Sequence, residues 1–212
     1  MIRSQGAMST VTGEHRYTTG AIILHWAIAA LILLNIGMGL VMESLEKPLK
    51  DVIVPLHFSC GMTVLALSIL RIIWRLTHRP PPFDPGLLPW ERAAAHTVHA
   101  LLYVAMIVMP LIGWMIISAH PPRPQGAAMI WGMIRLPAIS PISHLAQVPQ
   151  KQAHGLFVDA HSIGAWILIG LLVLHIAGAL KHQWIDRHPE LSRMGLGRSS
   201  RRKPAAAQPS SR

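Results

Sequence analysis

Four stretches of this chain hold no charged residue, and each is long enough to cross a bilayer: Ala21–Met42, Val52–Leu70, Ala93–Ala119 and Ala160–Leu180. A hydrocarbon core takes about 20 apolar residues per helix, and in lipid each helix satisfies its own backbone groups. The spacing predicts four spanning helices at roughly residues 21–42, 54–76, 97–118 and 158–180. Mean hydropathy is +0.40 and charged residues are 13% of the chain, where a soluble domain carries about 25%.

The same numbers exclude a disordered body. One cysteine, Cys60, excludes a disulfide framework and any multi-cysteine metal site. There is no Gly-rich phosphate loop, no nucleophile elbow and no pair of carboxylates set for hydrolysis. The first apolar run lies behind 20 polar or mixed residues without a small-x-small cleavage site, so no signal peptide is expected.

The net charge of +10 is unevenly placed. Fourteen of the 19 Lys and Arg fall in the N-terminal segment, the second connection and the C-terminal tail, which are the same side of a four-span chain. The positive-inside rule then puts both termini in the cytoplasm. The basic balance is a matter of topology, and no nucleic-acid binding is expected. The division reads as an N-terminal segment 1–15, a four-helix domain 16–195 and a basic, disordered tail 196–212 that can rest on anionic lipid. Trp26, Trp74, Trp90 and Trp184 fall near predicted helix ends, as in an aromatic belt.

Thirteen histidines are unusual in so apolar a chain. Four lie within or at the edge of the spans. His25 is one turn into the first helix, His57 near the start of the second, His161 at the opening of the fourth and His175 near its inner end. Fourteen residues separate His161 from His175, nearly four turns, so they share a face about 21 Å apart. Depth pairs His25 with His175 and His57 with His161. Two bis-histidine sites stacked across a helix bundle are what two b-type haems require. The residues one turn after each histidine are Ala29, Gly61, Ala165 and Ala179, all small enough to admit a macrocycle, although close helix packing favours small residues too. The competing readings are interhelical hydrogen bonding and zinc, the latter without a carboxylate or thiolate at the same levels. His96 and His99 read as interfacial, since Tyr103 follows His99 by one turn. His15, His78, His120, His144, His154 and His188 read as solvated positions in tails or connections.

Particular segments carry a family resemblance. They are Leu24-His25-Trp26, Leu56-His57-Phe58-Ser59-Cys60-Gly61, Arg71-x-x-x-Arg75-Leu76 with Arg79-Pro80-Pro81-Pro82, and Ala95-His96-x-x-His99 with Tyr103 and Pro110-Leu111-Ile112-Gly113. His161, His175 and His182-x-Trp184 complete the set. Over residues 16–195 the chain resembles the bacterial cytochrome b561 family, which is related to the cytochrome b subunits of nickel–iron hydrogenases. The resemblance implies an all-α integral membrane four-helix bundle enclosing two b-type haems, in the bacterial inner membrane. It implies His25, His57, His161 and His175 as the iron ligands. It also implies electron transfer between ubiquinone and a second partner, and the branch most like this chain includes a superoxide oxidase. The chain departs from the family mainly in its Pro-rich outer connection.

With both axial positions of each iron filled, outer-sphere electron transfer is expected rather than oxygen binding. At the outer end Arg123, Arg135 and Lys151 occur over residues 119–157 without any Asp or Glu, a charge that can steer superoxide or simply be solvated. Met129, Trp131, Met133 and Ile134 are expected to cap the outer haem. At the inner end His182, Lys181, Arg71 and Arg75 are the candidates for quinone binding and proton relay. The arginines could equally snorkel to lipid phosphate or pair with haem propionates. Two alternatives stand beside an oxidoreductase: a relay linking quinone to a periplasmic enzyme such as a hydrogenase, and a transporter or structural protein whose histidines bind nothing.

Overall fold

The computed structural model describes residues 16–82, 86–120, 127–186 and 190–196. Arg123, His15, His188, the segment 1–15 and the tail beyond Leu196 lie outside the described residues.

Helix α1 (Thr19–Val41) starts where the Thr18 hydroxyl accepts from the Ala21 amide, a standard N-cap. It ends in a 3₁₀ turn at Met42–Ser44, where Glu43 interrupts the apolar run. Helix α2 (Leu49–Thr77) follows Pro48 and stops just before the Pro80-Pro81-Pro82 run. Helix α3 (Pro89–Ser118) has proline at its first position, where no amide is needed. Its Glu91 carboxylate accepts from the Leu88 amide at 3.1 Å. Strands β1 (Ala127–Ile130) and β2 (Ile134–Pro137) form an antiparallel hairpin, and a short helix α4 (Ser140–Ser143) leads to α5 (Gln147–Leu180). A π turn (Lys181–Ile185) and helix α6 (Glu190–Arg193) complete the described chain.

Among the described residues four helices are long and apolar enough to span a membrane: Thr19–Ser44, Leu49–Thr77, Pro89–Ser118 and Gln147–Ile185. The four expected spans are present, and all four are longer than expected. The third starts at Pro89 rather than near residue 97, because Pro89 and Glu91 initiate it. The fourth starts at Gln147 rather than near residue 158, so His161 lies well inside α5 and does not open it. His154, expected in a connection, is on the same helix.

α1 packs on α2, α2 on α3 and α3 on α5, whereas α5 approaches α1 and α2 only sparsely. The bundle is therefore a chain of helix pairs with a looser seam along α5. Apolar side chains from all four helices meet at mid-height: Ile28 and Ile32, Val64, Leu102 and Met106, and Leu168 and Leu171. Outward-facing side chains such as Leu33, Leu34, Trp166, Val173 and Leu174 stay exposed. That is the pattern of helices solvated by lipid on one side.

Candidate functional site

Two pairs of imidazoles face each other across the loose seam of α5. His25 on α1 and His175 on α5 have ring centroids 6.2 Å apart. His57 on α2 and His161 on α5 are 6.0 Å apart. Two imidazoles bound to opposite sides of one metal, through bonds of about 2.0–2.1 Å and with the ring radius added on each side, have centroids about 6 Å apart. Between the two levels sits the apolar cluster of Ile28, Ile32, Leu168 and Leu171.

The hydrogen bonds set the tautomers. Nδ1 of His57 lies 3.1 Å from the Asn35 carbonyl. A carbonyl only accepts, so Nδ1 carries the proton and Nε2 keeps its lone pair, the usual arrangement of a metal-binding histidine. His25 is set the other way. Its Nδ1 lies 2.8 Å from Nη1 of Arg71, and a guanidinium only donates. Binding a metal through Nε2 of His25 requires Arg71 to leave Nδ1, and the Tyr103 hydroxyl, which accepts from Nε of Arg71 at 3.1 Å, keeps the side chain close. Nδ1 of His161 is buried and makes no hydrogen bond among the described residues. The Met109 backbone stands beside that ring, where Nδ1–H can turn toward its carbonyl and leave Nε2 for the seam.

Glycines flank the outer pair. A Cβ at Gly39 would stand 3.4 Å from Cε1 of His57, and one at Gly113 would stand 3.8 Å from Cε1 of His161. Larger side chains at either position would press on the rings. Gly61 serves another purpose: a Cβ there would meet the Asn35 side chain at 3.6 Å, so it admits α1 rather than a cofactor. The nitrogen donors, their separation and the space around the outer pair would suit a haem between His57 and His161, and His25 with His175 would suit one once Arg71 leaves Nδ1 of His25.

A fifth histidine joins the inner pair. The His99 ring lies 5.1 Å from His175. Tyr103 does not screen it, because Tyr103 turns to Arg71. The separation is shorter than two ligands trans across one metal require, so His99 sits beside the pair.

The four inner-end candidates separate into two places. Lys181 and His182 are in the π turn. Lys181 Nζ bridges Glu91 at 2.6 Å and Asp186 at 2.7 Å, and His182 Nδ1 is 2.7 Å from Asp186. Lys181, and then His182, hold the Asp186 carboxyl below its ordinary range. These groups line a cavity of about 330 Å³. Arg71 and Arg75 line a different cavity, beside Trp74 and Tyr103.

At the opposite end the hairpin packs against α2, bonded to Ser59 two residues after His57. Its turn places Trp131 at φ 54° and Gly132 at φ 68°. A left-handed conformation costs about 1–2 kcal/mol for a non-glycine residue. Two bonds to α2 hold Trp131 there: its amide donates to Ser59 Oγ at 2.9 Å and its indole to Thr63 Oγ1 at 3.0 Å. Both hydroxyls spend their own protons on the carbonyls four residues back, Pro55 and Ser59. Trp114 and Ser118 of α3 hold the exit of the hairpin through Pro137 and Ile139. Met133 and Ile134, expected to cap the site, instead point outward at 78% and 60% exposure. Arg135 on β2 and Lys151 on α5 are exposed. The Ser59→Ala/Thr63→Val double variant should free the hairpin from α2 at a cost of about 1–2 kcal/mol. Protease nicking between residues 127 and 137, with α2 intact, is the readout; an unchanged nicking rate would show that α3 alone holds the hairpin.

Comparison with known proteins decides the family. Residues 16–197 match the prokaryotic cytochrome b561 family. The chain belongs to that family. Cytochrome b561 homolog 2 of Escherichia coli K12 is 29% identical over 196 residues, covering 91% of this chain and 97% of the relative. A probable superoxide oxidase, CybB, of Yersinia pestis is 28% identical and covers 84% and 95%. Cytochrome b562 of Cereibacter sphaeroides is 27% identical and covers 87% and 98%. As a prokaryotic cytochrome b561, the chain is a multi-pass bacterial membrane protein of electron transport, and membership implies b-type haem.

Sequence reasoning missed several groups that this cytochrome b561 brings to its site. Glu91 and Asp186 complete the Lys181–His182 cluster, and Asp186 stood in the sequence one helical turn after His182. Ser59 and Thr63 fasten the hairpin, and only the Ser59 position lay in a segment already singled out.

Proposed function

We propose that this cytochrome b561 holds two b-type haems, one between His25 and His175 and one between His57 and His161, and moves electrons between superoxide outside and ubiquinone. The observation that carries the reading is the pair of imidazole separations, 6.2 and 6.0 Å, stacked in one seam of the bundle. A haem in each place supplies one-electron transfer. In this reading the positive-inside count sets the termini and His182 on the cytoplasmic side.

The chain's own residues do the rest. His57, His161, His25 and His175 bind and orient through their ring nitrogens. Arg135 and Lys151, with Arg123 of the same connection, draw a small anion toward the hairpin end. At the other end His182 is set to move a proton. With Nδ1 donating to Asp186 at 2.7 Å, Nε2 is the atom that exchanges it. Lys181 keeps Asp186 ionised for that task. Arg71 and Arg75 are left out of the quinone role, because they face a separate cavity.

A superoxide pulse mixed with oxidised, purified protein tests the assignment, with the haem absorption bands as readout and a ubiquinol control beside it. Rapid reduction by superoxide, reversed by ubiquinone, is expected. In His182→Ala the ubiquinone step should slow by about 10²-fold while reduction by superoxide is unchanged. Reduction by quinol and not by superoxide would transfer the function to a relay serving a periplasmic redox enzyme.

A further inference from the structure

We propose that the arginine-lined cavity at the start of α1 and the end of α2 binds the phosphate of an anionic phospholipid. The cavity, about 230 Å³, is bordered by Arg16, Arg71, Arg75 and Arg79 together with Trp74 and Tyr103. Among the described residues no Asp or Glu lines it. Among the described residues none of the four guanidinium groups has a carboxylate within 4.0 Å.

Four cations gathered without a counter-charge among the described residues repel one another, and Arg71 and Arg75 are one helical turn apart on the same face. The carboxyl end of α2 attracts one or two cations through its backbone dipole. That does not account for Arg16, which arrives from the entry to α1, or for Arg79, which lies past the end of α2. An anion in the cavity offsets all four, and a phosphate offers the planar oxygen pairs that guanidinium forks match.

The surroundings select a lipid. The Trp74 indole donates to Thr18 Oγ1 at 2.9 Å, which ties α1 to α2 and fixes the cavity wall. Trp74 also stacks on His78 at a centroid distance of 4.2 Å, giving an aromatic floor at the depth of a headgroup. Leu70, Ile73 and Leu76, chain neighbours of the lining residues Arg71, Trp74 and Arg75 on α2, are exposed and offer a track for acyl chains. Basic pockets between spanning helices are the general form of an anionic headgroup site.

The test uses the full-length, haem-loaded protein after delipidation. Native mass spectrometry would follow phosphatidylglycerol, phosphatidylcholine and inorganic phosphate, each added alone, in the parent and in Arg16→Gln/Arg79→Gln. One phosphatidylglycerol should be retained in preference to phosphatidylcholine, and the double variant should bind it at least about tenfold more weakly with haem content unchanged. Equal retention of the two lipids, or of phosphatidylglycerol by parent and variant, would overturn the proposal. Occupancy by inorganic phosphate alone at the same strength would also overturn it. Haem loss from the variant would overturn it as well, by showing that the arginines serve haem carboxylates. If the double variant does not accumulate, Arg79→Gln alone gives the same reading at smaller amplitude.

Discussion

His57→Ala should halve the haem content of the purified protein, and His161→Ala should do the same to the same haem. The outer ligands face each other, His120 and His154 pair with each other instead, and His99 lies at the inner pair. His25→Ala and His175→Ala should remove the other haem. Ligands that act as a unit are not additive, so the His57→Ala/His161→Ala double variant should lose no more than either single one. A spectrum and a haem-to-protein ratio on the set of variants are sufficient. The pairing fails if His57→Ala and His175→Ala prove to remove the same haem. It fails too if His99→Ala costs a haem while His25→Ala does not, because His99 and not His25 would then be the partner of His175.

Arg71→Gln should lower the midpoint potential of the inner haem and leave the outer one in place. The guanidinium is 2.8 Å from the His25 ring, and a nearby positive charge favours the reduced, less positive iron. At an effective dielectric constant of about 20 and a charge separation of roughly 7–8 Å, Coulomb's law gives about 2 kcal/mol, which screening reduces to a shift on the order of 50 mV. A redox titration resolving the two haems measures it, with the outer haem as internal control. Arg71→Lys should recover much of the potential, because it keeps the charge while giving up the fork. A titration in which Arg71→Gln leaves both potentials unchanged would mean that Arg71 swings clear of the inner site once His25 binds iron.

The spans were legible because an uncharged run of this length has few other destinations, and lipid imposes the helix on it. The histidine pairs were legible because a four-span topology converts sequence position into depth. What escaped the sequence was held by contacts between distant segments. The first turns of α5, residues 147–157, read as part of the outer connection, yet Pro149 falls where a helix tolerates it. The hairpin turn puts a tryptophan at positive φ, against its preference, and only the hydroxyls of Ser59 and Thr63 explain why it stays. His99 was set aside because Tyr103 crowds its face, and nothing local revealed that Arg71 draws Tyr103 elsewhere.

Helix α5 supplies one imidazole to each pair and so works as a camshaft. Fourteen residues at about 100° each bring His175 round to within roughly 40° of His161, a phase error that side-chain rotamers can absorb. One residue inserted between the two would swing His175 by about 100° and put the inner pair out of time with the outer one. The chain does carry such an irregularity, the widened π turn, and it begins at Lys181. Both lobes of the shaft are already cut by then, so the helix can change its winding beneath His175 without disturbing the timing above it.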